Sequence, residues 1–209
     1  MSISGFSHDE DWNKFNSSFV IEVARENGLF TCSGVAVSSK IILTAAHCLE
    51  GSIKSVRVFN HAKYNPKEKS LSVSRYEIHP QYNLKNSRYR FDLAKILLTD
   101  NLPNQIKIYP IAKGNNISGT LYRFGYGMRN SENLRTLILP KLRRLNVVED
   151  VLELDDKFSK SGDSGGPIFL EQGGDISILA IHSTFSYGPD GNYSLNPLLS
   201  KQMTWIFSD

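Results

Sequence analysis

Short apolar runs separated by turn-forming residues recur along most of the chain. The runs are rich in Val, Ile, Leu and Tyr, which favour extended strands, and Gly, Ser, Asn and Pro stand between them. The clearest examples are SFVIEVA, GVAVSS, KIILTAA, SVRVFN, LAKILL, TLYRFGYG, PIFL and ISILAIHS. This pattern predicts a protein built mainly from β-strands.

Helical spacing of apolar residues is clear only near the end of the chain. The stretch from Asn196 to Phe207 carries it, with Asn196 in the place of an N-cap and Pro197 in the first turn. We therefore predict a C-terminal helix over these residues.

The segment between Leu98 and Gly119 interrupts the strand pattern. It is rich in Pro, Asn, Lys and Gly, and strand-like runs resume at Thr120. We place the boundary between two β-rich halves in this segment, and we predict an N-terminal domain of residues 1–110 and a C-terminal domain of residues 111–209.

Composition narrows the classes of partner. With 209 residues, of which 40% are hydrophobic, the chain can bury one large core or two compact ones. The 24 basic and 21 acidic residues leave a formal net charge of +3, and no basic run is long enough to bind a phosphate backbone or a membrane surface. No apolar stretch approaches the roughly 18 residues that a membrane-spanning helix needs. We expect neither a nucleic-acid nor a membrane partner.

Three short segments carry the candidate chemistry. LTAAHC places His47 after a buried strand, FDLA places Asp92 among apolar neighbours, and GDSGGP flanks Ser164 with glycines. A buried carboxylate needs a hydrogen-bond donor, and an imidazole N–H is one. Glycines let the backbone turn sharply and let a substrate approach the serine hydroxyl. Together the three residues are the components of a nucleophilic triad.

The three segments, in the order His, Asp, Ser, resemble the trypsin/chymotrypsin family of serine proteases. HPQYN at 79–83, FGYG at 124–127 and TWI at 204–206 extend the resemblance over most of the chain. It implies an all-β fold of two packed six-stranded antiparallel β-barrels with a C-terminal helix, and an active site in the cleft between the barrels. It also implies a monomeric serine endopeptidase that acts on proteins or peptides without a metal or other cofactor, with protein protease inhibitors as candidate partners.

The resemblance assigns a role to each residue of the triad. His47 removes the proton of Ser164 during attack and returns it to the leaving amine, while Asp92 holds the imidazole in the productive tautomer. The backbone N–H groups of Gly162 and Ser164 form the oxyanion hole.

Two competing classes remain to be considered. A catalytically silent family member, binding a partner through the same cleft, is the alternative function. A serine hydrolase of the α/β type is excluded, because in that class the serine precedes the acid and the histidine, whereas here His47 and Asp92 both precede Ser164.

Cys32 and Cys48 by themselves leave two free thiols or one disulfide open. They occupy the positions at which the family bridges the loop behind its catalytic histidine, so the resemblance implies a disulfide between them. A disulfide favours a secreted or periplasmic location. The first residues lack the charged-then-apolar pattern of a secretory signal, so we expect an export signal to have been removed.

Asp163 has a second implied role, in activation. In the family, a newly cut N-terminal amine pairs with the acid that precedes the nucleophile, and this ion pair orders the oxyanion hole. Ile3, in the sequence ISG, resembles the activated start. The chain would then be a zymogen from which Met1 and Ser2 must be removed, and the alternative is an ordinary unpaired terminus.

The resemblance places the specificity pocket on the segment before Ser164 and on the strand after it. Phe158 stands where a trypsin-like enzyme carries the acid that meets Lys or Arg, so basic specificity loses support, although Asp155 and Asp156 lie nearby. Ser183 matches the residue that hydrogen-bonds the substrate backbone.

His182 suggests a different preference. In the glutamyl endopeptidases of the same superfamily, a histidine at this place receives the acidic substrate side chain, helped by hydroxyl residues before the nucleophile. Ser159 and Ser161 offer such hydroxyls here. We therefore predict Glu at P1, the substrate residue whose carbonyl is attacked, with a large apolar residue as the alternative.

Overall fold

The computed structural model describes residues 13–60, 65–82, 89–113, 117–127, 141–188 and 191–208. This part of the chain forms thirteen β-strands in two antiparallel sheets and a few short helical turns, which confirms the predicted all-β class. None of the helices in these ranges is long and apolar enough to cross a membrane.

The first sheet is built from strands in the first half of the chain and has the order β4-β1-β2-β3-β6-β5. The Leu71 N–H, just before β5, donates to Val58 O in β4 at 2.8 Å, so the two edges of the sheet meet. The strands are β1 (Ser18–Arg25), β2 (Gly28–Ala36), β3 (Ile41–Thr44), β4 (Ser55–Phe59), β5 (Val73–Ile78) and β6 (Ala94–Leu98).

The second sheet has the order β11-β10-β7-β8-β9-β13-β12, one strand more than the six predicted for this barrel. A bridge between Ala180 in β11 and Leu198, just after β13, joins its two sides. The strands are β7 (Thr120–Arg123), β8 (Lys141–Val148), β9 (Val151–Asp155), β10 (Pro167–Gln172), β11 (Asp175–Ile181), β12 (Thr184–Gly188) and β13 (Gly191–Pro197). The division into two domains near residue 110 stays a prediction.

The strands that the apolar runs predicted are those with a long buried stretch. In β1, six consecutive residues from Ser18 to Val23 are buried, and β3 and β6 are buried along most of their length. Strands β5 and β8 are exposed over several consecutive residues and β9 buries only alternate residues, so none of them has a continuous apolar run that marks it in the sequence.

The predicted C-terminal helix begins too early. Its α-helical part, α1, covers only Met203–Ile206, preceded by a 3-10 turn at Leu199–Lys201, and Asn196 lies in β13. The Asn196 side chain caps nothing, since its Nδ2 group donates to Leu152 O at 2.9 Å and to Ser194 Oγ at 3.1 Å. Strand pairing of β13 with β9 therefore outweighed the helical spacing of the sequence.

Lys95 in β6 ties α1 to the first sheet. Its side chain is fully buried, and Nζ donates to Ser208 O at 2.8 Å and to Trp205 O at 3.3 Å. Glu77 on the neighbouring strand β5 provides the counter-charge at 3.1 Å. A buried ammonium needs such a partner, so this cluster fixes the end of the chain against the first half.

One hydrophobic cluster draws on both sheets and has Phe15 at its centre. Phe15 is 1% exposed, and its ring centroid lies 4.7 Å from that of Phe124 and 5.0 Å from that of Phe169, both in the second half. The same cluster includes Val20 and Leu43 from the first sheet. The segment before β1 therefore fills the space between the two halves.

We expect Phe15→Ala to lower the free energy of unfolding by about 3 to 5 kcal/mol, because it leaves a cavity between several rings. Urea titration of the purified protein, in a Ser164→Ala background that prevents self-cleavage, measures this value. Phe30→Ala is the control, since that ring is 44% exposed, and should cost less than about 1 kcal/mol. Equal losses in the two variants would contradict the assignment of Phe15 to the core.

Candidate active site

His47 and Asp92 are brought to one edge of the first sheet by neighbouring strands. β3 and β6 are antiparallel partners, and their register pairs Thr44 at the end of β3 with Ala94 at the start of β6. His47 lies in the 3-10 turn Ala46–Cys48 after β3, and Asp92 stands two positions before β6. The register of these strands therefore brings two side chains that are 45 positions apart within hydrogen-bonding distance.

The Asp92 carboxylate is held by three donors. Its Oδ1 accepts the backbone N–H of His47 at 2.9 Å, and its Oδ2 lies 2.7 Å from His47 Nδ1. The Ser183 hydroxyl donates to the same Oδ2 at 2.5 Å. Ser183, predicted as a substrate-binding residue, thus contacts Asp92 through its side chain.

These contacts determine the charge and tautomer of the pair. Asp92 is 1% exposed, and burial alone would raise the pKa of its carboxyl, but the hydrogen bonds from His47 and Ser183 outweigh burial and hold the pKa below its ordinary value. An ionised carboxylate can only accept, so the proton of the His47 ring lies on Nδ1. Nε2 is left as the basic nitrogen, on a side chain that is 27% exposed.

Ser164 lies on a tight loop between β9 and β10 that packs on the His47 loop. Its backbone oxygen accepts the Ser33 N–H at 2.7 Å, and its hydroxyl has a long contact of 3.4 Å with Ser183 O. Among the hydrogen bonds of the described residues, none joins Ser164 Oγ to the His47 ring. The structure thus brings His47 to Asp92, and places the third predicted residue on an adjoining loop.

Gly165 allows this loop to approach the first sheet. Its φ is +83°, and a Cβ at this position would lie 2.2 Å from Thr44 Oγ1 and 2.3 Å from Ser33 O. Any side chain would therefore clash with β2 and β3 and separate Ser164 from the His47 loop.

The predicted oxyanion donors are held by Ser33, a residue that the sequence analysis missed. The buried Ser33 hydroxyl donates to Gly162 O at 2.8 Å and accepts the Tyr126 N–H at 2.9 Å. In the part of the chain that the structure describes, no acceptor takes the amide N–H of Gly162 or of Ser164. The Ser33 hydroxyl thus fixes the peptide group between Gly162 and Asp163 through the Gly162 carbonyl.

Asp163 is fully buried beside Arg123, another residue that the sequence analysis missed. Its Oδ1 accepts the Gly127 N–H and its Oδ2 the Lys160 N–H, both at 2.8 Å. Arg123 Nη1 lies 2.8 Å from Oδ2 as an ion pair, although the contact is not aligned as a hydrogen bond. Ile3, the predicted partner of Asp163, lies outside the described residues, so the predicted activation pair stays a prediction.

Arg123 also binds Asp156, and all three side chains are 0% exposed. The Arg123 Nε and Nη2 groups donate to the two oxygens of Asp156 at 2.6 and 3.1 Å, a bidentate pair. Burial alone would lower the pKa of Arg123, but the carboxylates of Asp163 and Asp156 raise it above its ordinary value. One signal in the sequence could have found this group, because an arginine inside the apolar run TLYRF needs an acidic partner.

His182 lies at the end of β11, fully buried between two polar side chains. Its Nε2 is 2.8 Å from Ser159 Oγ, and its Nδ1 is 3.1 Å from Asn196 Oδ1; the predicted role of these residues as a substrate pocket stays a prediction. An amide oxygen accepts, so Nδ1 carries the proton and Nε2 accepts the Ser159 hydroxyl. Burial and the nearby positive charge of Arg123 lower the pKa of His182 to about 4, so the ring is neutral at ordinary pH.

Two other predicted pocket residues have exposed side chains. Phe158 is 42% exposed and Ser161 is also exposed. Asp155 pairs with Arg143 on the surface at 3.1 Å, while Asp156 is engaged by Arg123. Neither of these acids is therefore available to a basic substrate side chain.

A disulfide joins Cys32 and Cys48, as predicted, and it links β2 to the His47 turn. The two sulfur atoms and a ring nitrogen of His47 lie within 4.8 Å of one another, a spacing that could suit a metal ion. Both sulfurs are bonded to each other, however, so neither is a thiolate that could bind a metal.

Comparison with known proteins places this arrangement in a family. Residues 10–206 match the family described as Trypsin. The chain is 28% identical to coagulation factor IX of Cavia porcellus, covering 83% of this chain and 71% of that protein. It is 26% identical to chymotrypsin of Phaedon cochleariae, covering 90% and 75%, and 26% identical to vitamin K-dependent protein C of Mus musculus, covering 85% of this chain but only 45% of that protein. The chain therefore belongs to the trypsin family of serine proteases.

Proposed function

We propose that this protein is a serine endopeptidase whose triad is His47, Asp92 and Ser164. The observation that carries the proposal is the buried Asp92 carboxylate, which holds the His47 ring by Nδ1 and leaves Nε2 as a base beside the Ser164 loop. Membership of the trypsin family supports it.

The proposed reaction begins with attack of Ser164 Oγ on the substrate carbonyl, as His47 Nε2 takes the hydroxyl proton. The amide N–H groups of Gly162 and Ser164 stabilise the oxyanion that forms, each by about 3 kcal/mol. His47 then gives its proton to the leaving amine, and water, activated by the same nitrogen, hydrolyses the acyl-enzyme. Asp92 stays ionised throughout and stabilises the imidazolium.

A silent homologue that uses the cleft for binding is the second candidate. The observation in its favour is that the Ser164 hydroxyl contacts Ser183 O and not the His47 ring. A contact of 3.4 Å is too long to hold the hydroxyl strongly, and catalytic hydrogen bonds often tighten only when substrate binds. We therefore favour the enzyme.

The proposed substrates are proteins or peptides, and protein protease inhibitors are the proposed natural partners. The disulfide supports a location outside the cytosol, since thiols are kept reduced inside it. We propose a monomer that requires neither nucleic acid nor membrane.

For the P1 residue we propose Glu, bound at Ser159 and His182. The 2.8 Å contact of these two side chains supports it, because a substrate carboxylate that displaces the Ser159 hydroxyl from Nε2 would meet two donors once the ring is protonated. A large apolar P1 residue is the second candidate, favoured by the neutral state of the buried ring. A basic P1 residue is disfavoured, because Asp155 and Asp156 are already paired.

We expect Ser164→Ala to lower peptidase activity by a factor on the order of 10⁴ or more without changing the fold, because only the nucleophilic oxygen is lost. Peptide cleavage and covalent labelling by a fluorophosphonate measure the effect. Ser72→Ala, which removes an exposed hydroxyl outside the three motif segments, is the control and should keep full activity. A wild-type protein that neither cleaves peptides nor takes the label would favour the silent homologue.

We expect the ratio of kcat/KM for Glu substrates to that for matched Leu substrates to fall as pH rises from 5 to 8. Free His182 is neutral in this range, since its pKa is about 4, so binding a carboxylate must raise that pKa and take up a proton, which becomes harder at higher pH by up to about tenfold per unit. Taking the ratio removes every pH effect that the Glu and Leu substrates share.

Variants test the same idea. His182→Gln and Ser159→Ala should each lower the Glu-to-Leu ratio by at least about tenfold, which corresponds to one charge-assisted hydrogen bond. Ser72→Ala, the exposed control, should leave the ratio unchanged. Faster cleavage after Leu or Phe than after Glu in the wild type, with no pH dependence of the ratio, would show that the pocket is apolar.

A further inference from the structure

The buried cation Arg123 contacts both ends of one functional segment. Asp156 precedes residues 157–162 and Asp163 follows them. The guanidinium donates hydrogen bonds to Asp156 and forms an ion pair with Asp163. Between the two acids lie Ser159, which contacts His182, and Gly162, whose amide is the proposed oxyanion donor. The positions of both groups therefore depend on one side chain.

The contacts are specific in direction. Arg123 is the last residue of β7, and β7 pairs with β10, so its backbone is fixed within the second sheet. The bidentate bond to Asp156 then fixes the plane of the guanidinium, with Nη1 2.8 Å from Asp163 Oδ2 as an ion pair. In this orientation Arg123 contacts both ends of the segment.

The Asp163 side chain is also enclosed by the backbone of residues 125–127, which follow β7. A Cβ on Gly125 would lie 2.1 Å from Asp163 Oδ1, and Gly127 donates its N–H to that oxygen. The carboxylate is therefore fixed against this backbone, and among the hydrogen bonds of the described residues none uses the flanking amides of Gly162 and Ser164.

We propose that Arg123 is a positioning residue that clamps the segment from Asp156 to Asp163, and that it sets the oxyanion hole without a newly cut N-terminal amine. The cation that Asp163 needs comes from within the chain, so the loop is ordered as soon as the second sheet folds. This inference rests on the proposed endopeptidase function, and it competes with the predicted pair of Asp163 and Ile3.

The first experiment compares chains with different N-termini. Wild-type protein beginning at Ile3 and wild-type protein with a short Gly-Ser extension before Met1 should have kcat values within about twofold of each other. If only the chain that begins at a free Ile3 is active, the N-terminal amine orders the loop and the proposal is wrong.

The second experiment removes the clamp. Arg123→Gln should lower kcat by about 100-fold, as expected for loss of one oxyanion donor, while KM for Leu substrates changes much less. Arg123→Lys, which keeps the charge but loses the bidentate bond, should recover part of kcat. A fall in stability alone would leave kcat per folded molecule unchanged.

The two acids provide matched controls. Asp163→Asn should lower kcat, and adding it to Arg123→Gln should cost little more than Arg123→Gln alone, because both changes break the pair of Arg123 with Asp163. Asp156→Asn should also lower kcat and the Glu-to-Leu ratio, whereas Asp155→Asn, which breaks a surface pair next to it, should change neither. If Arg123→Gln does not fold, Asp163→Asn and Arg123→Lys carry the test.

The outcome is separable from failure of the proposed function. Wild-type protein that does not react with a fluorophosphonate would refute the peptidase itself. Wild-type protein that reacts, together with a folded Arg123→Gln or Asp163→Asn variant that reacts and turns over at the wild-type rate, would overturn only the role of Arg123.

Discussion

A carboxylate that is buried away from water must be met by donors, and the active site is organised around this requirement at Asp92 and Asp163. Asp92 receives the ring and backbone of His47 and the hydroxyl of Ser183. Asp163 receives two backbone amides and the charge of Arg123. Because an unpaired buried charge costs several kcal/mol, each acid and the donors around it fix one another's positions. The base and the proposed oxyanion loop therefore have defined positions before any substrate arrives.

The two acids are held against different sheets, so the site also depends on how the sheets meet. Asp92 is placed by the register of β3 and β6, and Asp163 by contacts with the segment 125–127 that follows β7. The junction between them is made by Ser33, whose N–H reaches Ser164 O and whose hydroxyl reaches Gly162 O. Phe15 packs in the cluster that both sheets share. A change that separates the sheets would disturb the base and nucleophile together, even where no residue of the site is altered.

Much of the fold could be predicted from the sequence, and the misses have a common physical cause. Strands that bury both faces, such as β1 and β6, leave continuous apolar runs, whereas β8 is largely exposed and β9 buries only alternate residues, so neither leaves such a run. The helix was placed too early because local spacing cannot report strand pairing. Asn196 looks like an N-cap in the sequence, but in the structure it bonds Leu152 O and His182 on other strands.

In the site, too, the residues that stand in local motifs could be predicted and those that act through distant contacts could not. His47, Asp92 and Ser164 stand in long motifs, whereas Ser33 and Arg123 act through contacts that no local pattern records. Their absence from the sequence analysis matters for specificity as well as for activation. Arg123 with its two acids carries a net charge of −1 beside His182, yet burial and then the positive charge of the guanidinium lower the pKa of that ring to about 4 against the opposing effect of the carboxylates. The histidine of the proposed pocket is therefore neutral, so a Glu side chain bound there would itself have to supply the negative charge that protonates the ring.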